Sequence, residues 1–219
     1  MSSRRYRMVV FDWDGTLMDS ASKIVNCFRA AAQDVGVPVP SPDAVRGIIG
    51  LGLTEALAEL FPGTGERDRS RLMEAYRAHF LERDETYTGL FPGVAEGLAV
   101  LKEESFVLAI ATGKARRGLD RVLGETAVGH LFAASRCVDE AVSKPHPQML
   151  RDILARTRID PRDALMVGDT TFDLKMAAAA DMDALAVSYG AHPVEPLLAE
   201  NPAGCVDDFE AVVRWIRES

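Results

Sequence analysis

The sequence predicts an α/β fold: a Rossmann-like parallel sheet with helices on both faces and a helical-bundle cap inserted after the first strand. Three observations predict this architecture. An apolar segment of strand length lies near the start of the chain, at residues 6–12. Residues 20–85 then carry helical apolar spacing and no strand pattern. From residue 94 onward, short apolar segments alternate with segments of helical period, which is typical of a parallel sheet covered by helices.

The first strand and the cap are predicted from a change of apolar period. The segment YRMVVFD at 6–12 is rich in Val and Phe, as a buried strand is. From Ser20 the period becomes helical, and Gly36 is well placed to end the first cap helix. The other predicted cap elements are a Pro-rich turn at 38–45, a short helix at 52–61 and a longer helix at about 66–85.

The second part of the chain follows a connector at residues 87–94, which contains Gly89, Pro92 and Gly93. Strands are predicted at 106–112, 131–138, 163–169 and 183–189. Helices are predicted at 94–104, 115–125, 146–157, 172–180 and 208–218. The core domain would then comprise residues 1–17 and 90–219, and the cap domain residues 18–89.

Composition and charge limit the classes of partner. The chain has 219 residues, of which 47% are hydrophobic and 26% charged, as in an ordinary globular protein with a large core. Its formal net charge is −8 and its pI is about 5.1. This argues against nucleic acid or an anionic membrane as the main partner. An anionic substrate stays open, because a bound cation and local basic residues can reverse the field at one site.

Cysteine usage and hydropathy bear on the compartment. Cys27, Cys137 and Cys205 are far apart and form no CxxC motif, which favours a reducing compartment without structural disulfides. The apolar run MVVF is too short for the core of a signal peptide, and no segment is long enough to cross a bilayer. We therefore expect a cytoplasmic protein with no membrane association.

Polar residues gather at the expected carboxyl ends of the strands, where parallel sheets bind ligands. The four segments that carry them are DWDGT at 12–16, ATGK at 111–114, SKPHP at 143–147 and GDTTFD at 168–173. Clustered carboxylates suit Mg²⁺, whereas a lysine, a threonine hydroxyl and backbone N–H groups suit phosphate oxygens. A carboxylate beside Mg²⁺ can form an aspartyl-phosphate while a second one moves protons. Together, the segments indicate phosphoryl transfer.

Each segment taken alone also has a simpler interpretation. Asp12-x-Asp14-Gly15 could be a solvated turn, and Thr112 with Gly113 an ordinary helix N-cap. Lys144 alone would be a surface lysine. Asp169 with Asp173 could be a helix cap followed by an acid in the first turn, which the helix macrodipole favours. Their occurrence together, in one order and at matching strand ends, favours a catalytic site.

These motifs resemble those of the haloacid dehalogenase superfamily, in its phosphatase branch with a small helical cap, to which phosphoglycolate phosphatases belong. The resemblance covers essentially the whole chain in motif order and element order. FDWDGTLMDS at 11–20 is its most specific part, and GDTTFD at 168–173 is nearly as specific. The resemblance implies that DSA at 19–21 and TGLFPGV at 88–94 are hinges, about which the cap closes over the cleft.

The resemblance also implies roles for individual residues. Asp12 would be the nucleophile and Asp14 the general acid and base. Mg²⁺ would be bound by Asp12, by the backbone carbonyl of Asp14 and by Asp169, and Asp173 would steady the metal waters or Lys144. Thr112 and the N–H of Gly113 would bind phosphate oxygens. Lys144 would offset the charge of the phosphate and of Asp12.

Residue choice within the family bears on the reaction. Related dehalogenases lack an acid at the position of Asp14 and phosphonate hydrolases have Ala there, so its presence favours cleavage of a P–O bond. A phosphotransferase or mutase of the phosphoglucomutase type stays open, although its first motif often has Val or Ile where Thr16 stands here. Outside enzymes, a phosphoacceptor signalling domain and a non-catalytic binding or scaffold protein stay open as well.

Specificity is expected in the cap, in the segment VRGIIGLGL at 45–53. Arg46 could bind a substrate carboxylate through a bidentate contact, which would suit phosphoglycolate. Arg46 could equally be a solvated residue at a helix end. A small cap favours a small phosphorylated metabolite as the substrate, and the sequence does not decide between a monomer and a dimer.

Overall fold

The computed structural model describes residues 6–219. Two predictions concern residues 1–5, namely the beginning of the core segment 1–17 and the basic start of the chain, and these lie outside the described residues. Within residues 6–219 a six-stranded sheet lies between helices, and a separate group of helices follows the first strand. The predicted α/β class is therefore confirmed.

The sheet is parallel throughout and has the order β3-β2-β1-β4-β5-β6. Its strands are β1 (Met8–Phe11), β2 (Val107–Thr112), β3 (Phe132–Cys137), β4 (Ala164–Gly168), β5 (Asp183–Val187) and β6 (Gly204–Val206). In β1, Phe11 lies opposite Ile110 of β2 and Val167 of β4. Because parallel strands end at one edge, the residues that follow β1, β2 and β4 become neighbours there.

Four α-helices and a π-helical turn form the cap. They are α1 (Ala21–Val35), α2 (Pro42–Arg46), α3 (Leu53–Leu60), α4 (Glu66–Ala78) and the π-helical turn His79–Arg83. Gly36 ends α1 with a left-handed φ of 80°, and its N–H donates to the carbonyl of Ala32, as the sequence predicts. The cap has its own hydrophobic cluster, which includes Phe28, Leu57 and Leu72.

One cap prediction is wrong: the expected Pro-rich turn at 38–45 contains the helix α2. The hydroxyl of Ser41 accepts a hydrogen bond of 3.1 Å from the N–H of Ala44, so Ser41 is an N-cap. Pro42 stands at the first helical position, where its missing N–H costs nothing. The prolines thus begin a helix here instead of preventing one.

Helices cover both faces of the sheet. They are α5 (Val94–Glu103), α6 (Arg116–Thr126), α7 (Gln148–Thr157), α8 (Thr171–Ala178), α9 (Val194–Ala199) and α10 (Phe209–Glu218), with short 3-10 helices at Gly129–Leu131 and Pro161–Asp163. Successive side chains of β1 enter different clusters, Val9 and Phe11 on the face of α5, α6 and α10, and Met8 and Val10 on the face of α7, α8 and α9. The short α9 and β6 were not predicted, because the Gly- and Pro-rich sequence around them shows no clear period.

Two linkers join the cap to the core side by side. The N–H of Asp19 donates to the carbonyl of Gly89 at 2.8 Å, and the N–H of Phe91 donates to the carbonyl of Leu17 at 3.0 Å. The domain boundaries at 17/18 and 89/90 stay a prediction. The cysteines are all free thiols, and no helix within residues 6–219 has the length and apolarity needed to cross a membrane.

Candidate active site

The site begins where β1 ends. Asp12 directly follows the buried strand, its N–H donates to the carbonyl of Val167 at 3.0 Å, and its side chain is 1% exposed. Gly15, three residues on, has a φ of 87°, and a side chain there would collide with the carboxylate of Asp169. The local turn therefore requires a glycine and brings the first motif against the fourth.

A buried lysine joins two of the carboxylates. Lys144 Nζ lies 2.7 Å from Oδ1 of Asp12 and 2.6 Å from Oδ1 of Asp173, and all three side chains are at most 1% exposed. The other oxygen of Asp173 accepts from the N–H and the hydroxyl of Thr170, at 3.1 and 2.7 Å, within a capping box that begins α8. Asp173 thus orients Lys144 through one oxygen and begins α8 through the other.

Asp169 is held by two hydrogen bonds. The hydroxyl of Thr16 donates to Oδ1 at 2.7 Å, and the N–H of Ala191 donates to Oδ2 at 2.7 Å. The sequence alone does not indicate that Thr16, Thr170 and Ala191 hold these carboxylates. The signal for the two threonines was their place inside the DGT and GDTT motifs, whereas nothing local marks Ala191, which is 22 residues from Asp169.

Asp12, Asp169 and Asp173 fit a divalent cation. One oxygen from each lies within 4.8 Å of the others, and neither oxygen of Asp12 accepts a hydrogen bond among the described residues, although Lys144 forms an ion pair with it. Three carboxylates and one ammonium group would leave two negative charges in a buried space, which is unfavourable without compensation. Oxygen ligands of this kind suit Mg²⁺.

The protonation of the group follows from the same excess of negative charge. Burial raises the pKa of Asp12 well above its ordinary value, against the lowering effect of Lys144. Burial and the neighbouring Asp173 raise the pKa of Asp169 to about 7. Burial alone would lower the pKa of Lys144, but Asp12 and Asp173 raise it by more, so Lys144 stays charged. Protons can therefore occupy this group when no cation is bound.

Asp14 points away from that group, toward the cap. Its Oδ2 lies 3.0 Å from Lys114 Nζ, and its Oδ1 accepts a hydrogen bond of 2.7 Å from the hydroxyl of Ser20. The carboxylate of Asp14 is outside the cluster of possible metal ligands, which leaves its backbone carbonyl as the group predicted to bind Mg²⁺. The sequence alone does not indicate these two contacts, although Lys114 lies within ATGK and Ser20 within FDWDGTLMDS.

Thr112 and Gly113 lie at the end of β2. The hydroxyl of Thr112 is buried and accepts a hydrogen bond of 3.1 Å from the N–H of Lys114. A Cβ atom at Gly113 would lie 2.5 Å from the carbonyl oxygen of Gly50 and 2.7 Å from that of Leu51. A cap loop thus approaches this turn so closely that only glycine fits.

The loop 47–52 brings the cap to the site. The N–H of Gly52 donates to the hydroxyl of Ser143 at 3.0 Å, and Gly50, with a φ of 102°, lies against Thr170. Arg46 ends α2 just before this loop and is half-buried, but its side chain forms no ion pair with any carboxylate of residues 6–219. The other predicted site residues lie at the ends of β1, β2 and β4, at the start of α8 and in the segment before α7, and no contact joins the side chain of Arg46 to them among residues 6–219.

Comparison with known proteins places this geometry in a family. The family model of haloacid dehalogenase-like hydrolases matches residues 9–187. A protein of Dickeya dadantii named "Probable phosphatase IndB" is 37% identical over 210 residues, which cover 94% of this chain and 91% of that protein. A phosphoglycolate phosphatase of Haemophilus influenzae is 29% identical over 214 residues, covering 94% of this chain and 96% of that protein.

A solved structure shows the same architecture. The haloacid dehalogenase-like family protein from Streptococcus pneumoniae superimposes with a TM-score of 0.84 and 25% identity, covering 97% of this chain and 99% of that one. The matched segment 9–187 contains every predicted site residue. The chain therefore belongs to the haloacid dehalogenase-like hydrolases, in their phosphatase branch.

Proposed function

We propose that this protein is a Mg²⁺-dependent phosphatase that hydrolyses a small phosphate monoester through an aspartyl-phosphate on Asp12. The observation that carries the proposal is the contrast between Asp12 and Asp14. Asp12 is buried beside Lys144 and has oxygens without hydrogen bonds, whereas Asp14 lies two residues on and is held on the cap side. One carboxylate is thus available to attack phosphorus, and the other can serve the leaving group.

In the first half of the reaction an oxygen of Asp12 attacks phosphorus as the bond between phosphorus and the ester oxygen breaks. The leaving oxygen takes the electron pair of that bond and the proton of Asp14, so an alcohol departs. Thr112 and the N–H of Gly113 would bind the phosphoryl oxygens. Lys144 offsets their charge and is itself held by Asp173.

In the second half a water molecule attacks the same phosphorus. Asp14, now a carboxylate, takes a proton from that water, and the bond between phosphorus and Asp12 breaks to release inorganic phosphate. Asp12 returns as a carboxylate and Asp14 as an acid, so the enzyme is regenerated with atoms and charge in balance. The loop 47–52, which packs against Gly113 and Ser143, would exclude other water molecules.

Mg²⁺ would be held by Asp12, Asp169 and the backbone carbonyl of Asp14, with Asp173 steadying its waters or Lys144. When bound, it supplies positive charge that offsets the carboxylates and the phosphoryl group. The fit rests on the three clustered carboxylates and on the two negative charges that Lys144 leaves uncompensated.

The substrate class we propose is a small phosphorylated metabolite of the phosphoglycolate type, handled in the cytoplasm. The 29% identity to a phosphoglycolate phosphatase over 94% of the chain supports it. Arg46 is our candidate for contact with a substrate carboxylate, since it precedes the loop that covers the site. Transfer to a second hydroxyl, as in a mutase, is the alternative, and it would use the same intermediate with a sugar in place of water.

The test is a comparison of the native chain with Asp12→Asn and, as a control, Glu103→Gln, which removes an exposed acid of α5. With Mg²⁺ and a panel of phosphorylated metabolites, the native chain and the control should release inorganic phosphate. Asp12→Asn should fold normally and lose about four or more orders of magnitude in kcat. Acid quenching and peptide mass spectrometry should find phosphate on the native peptide that contains Asp12.

Activity of Asp12→Asn near that of the native chain would reject the nucleophile. Phosphorylation of Asp12 without release of phosphate, followed by transfer to a sugar phosphate, would indicate the mutase. A stable phosphoprotein that releases nothing would indicate a phosphoacceptor domain.

A further inference from the structure

The Asp14 carboxylate is fixed by two side chains from different parts of the chain. Ser20 donates to Oδ1 at 2.7 Å, and Lys114 Nζ lies 3.0 Å from Oδ2. Both oxygens thus have one partner each, and the carboxylate is held in one rotation. In a general acid this matters, because the proton must lie within hydrogen-bond reach of the leaving oxygen when the ester bond breaks.

Lys114 is itself built into the site. Its N–H donates to the hydroxyl of Thr112 at 3.1 Å, which places its backbone in the turn predicted to bind phosphate. Its side chain crosses α6 at Gly118, where a Cβ atom would lie 2.9 Å from Cγ of Lys114. A larger residue at Gly118 would therefore push the lysine away from Asp14.

The cap completes this arrangement. Lys114 Nζ lies 5.1 Å from the centre of the Phe80 ring, at a distance suited to a cation–π contact. Phe80 belongs to the π-helical turn of the cap, whereas Asp14 precedes the cap in the chain and Lys114 follows it. The side chains of Lys114 and Asp14 are only 11% and 13% exposed, so their ion pair is largely shielded from water.

A second lysine near the same ring does not have this role. Lys23 Nζ lies 5.5 Å from the centre of Phe80, but it donates to the backbone carbonyl of Asp84 at 2.8 Å. It therefore supports the cap and makes no ion pair with Asp14. Lys114 is the cation that joins the acid to the cap.

We propose that Lys114 is a positioning residue, which holds the Asp14 carboxylate toward the leaving oxygen and is fixed in turn by Phe80 of the cap. The inference rests on the proposed function, since it assigns Asp14 the role of general acid. The transferred proton comes from Asp14 and returns to it from water, so Lys114 takes no part in the proton transfer. Lys114 itself forms no covalent bond.

The experiment compares two substrates with different leaving groups. p-Nitrophenyl phosphate has a leaving group that departs with little protonation, whereas phosphoglycolate releases an alkoxide that needs a proton. Lys114→Met should therefore lower kcat for phosphoglycolate about tenfold or more beyond its effect on p-nitrophenyl phosphate. Lys114→Arg should restore most of the difference, because its guanidinium group can also reach Asp14.

Two further variants keep the test decisive. Phe80→Leu should shift the ratio of the two kcat values in the same direction by a smaller factor. Because this variant changes only the cap, it can test the inference even if Lys114→Met does not fold. Lys102→Met, which removes an exposed lysine of α5, is the matched control and should leave the ratio as in the native chain.

The outcomes separate this inference from the proposed function. Equal loss on both substrates, no loss on either, or a raised KM for phosphoglycolate with an unchanged kcat would each overturn the positioning role. If the native chain hydrolyses neither substrate nor any other phosphate ester, the proposed function itself fails.

Discussion

Asp12 and Asp14 are two residues apart and lie in two different environments. On the core side of the site, the Asp12 and Lys144 side chains are 1% and 0% exposed within a cluster that has more negative than positive groups. On the cap side, Asp14 and Lys114 form a neutral pair that is 13% and 11% exposed beneath Phe80. The same residue type thus meets a buried cluster with excess negative charge in one place and a charge-balanced, largely shielded pair in the other.

The proposed function connects this difference with two chemical roles within one short motif. The core side lacks compensating charge, which would favour a bound cation there, and the proposed function assigns to Asp12 the attack on phosphorus. The cap side is already balanced by Lys114, and the proposed function assigns to Asp14 the proton transfer there. Each prediction below would sharpen or break this contrast.

The largest expected effect is that of Lys144→Met. Removing the buried ammonium group leaves Asp12 and Asp173 without their cation. We therefore expect the free energy of unfolding at neutral pH to fall by about 3–5 kcal/mol, and we expect activity to be lost. Urea denaturation of the metal-free protein measures it, with Lys102→Met as the control. A stability equal to that of the native chain would mean that the cluster does not depend on Lys144.

Asp14→Asn should act on the rate and leave stability nearly unchanged. The amide cannot supply the proton, so kcat for an alkyl phosphate should fall about 10²–10⁴-fold. Because the amide has the shape of the carboxyl group and its oxygen can still accept from Lys114, the free energy of unfolding should change by about 1 kcal/mol. Steady-state kinetics and urea denaturation of the same samples test both statements. A loss of stability as large as that of Lys144→Met would show that the two carboxylates do not differ in their importance for folding.

The stability of the metal-free protein should depend on pH in an unusual direction. The pKa of Asp169 is about 7 in the fold against 3.8 ordinarily, so between these values the folded chain binds more protons than the unfolded one. The free energy of unfolding therefore falls as pH rises through this window, and the raised pKa of Asp12 acts in the same direction.

Bound Mg²⁺ should reverse this loss at neutral pH, because it stabilises the ionised carboxylates of the folded state. Thermal unfolding at pH 5 and pH 8, with and without Mg²⁺, measures the effect. Asp169→Asn should weaken both the pH dependence and the response to Mg²⁺. If the native chain without metal is most stable at pH 8, the buried carboxylates do not carry the excess negative charge inferred for them.

The smallest expected effect is that of Arg46→Ala. If Arg46 binds a substrate carboxylate, kcat/KM for phosphoglycolate should fall about tenfold, with little change for a phosphate ester that has no carboxylate. Arg29→Ala, which removes a cap arginine bonded to the carbonyl of Pro40, is the control for a general effect on the cap. Equal losses on both substrates would leave Arg46 as a structural residue.

The local sequence predicted most of the helices and strands and the strand ends at which the candidate site residues lie. A change of apolar pattern at Ser20 and at residue 94 predicted the cap and the core as separate groups of elements, because a strand buried on both faces is a short apolar run, whereas a helix with one buried face has a period of 3.6. Motifs at the strand ends were enough to group Asp12, Thr112 and Asp169. The helix α2 was not predicted, because the prolines around Ser41 indicate a turn and obscure its N-cap signal.

Only the tertiary structure decided how those groups are held. The contact of Lys114 with Asp14 joins residues separated by the whole cap, and the hydrogen bond from Thr16 to Asp169 spans 153 positions. The packing of Gly50 on Gly113 and of Phe80 near Lys114, the partner of Asp14, also joins residues that are far apart in the chain. Apolar periods and capping residues report interactions within a few residues, whereas these pairings depend on the strand order and on how the cap packs.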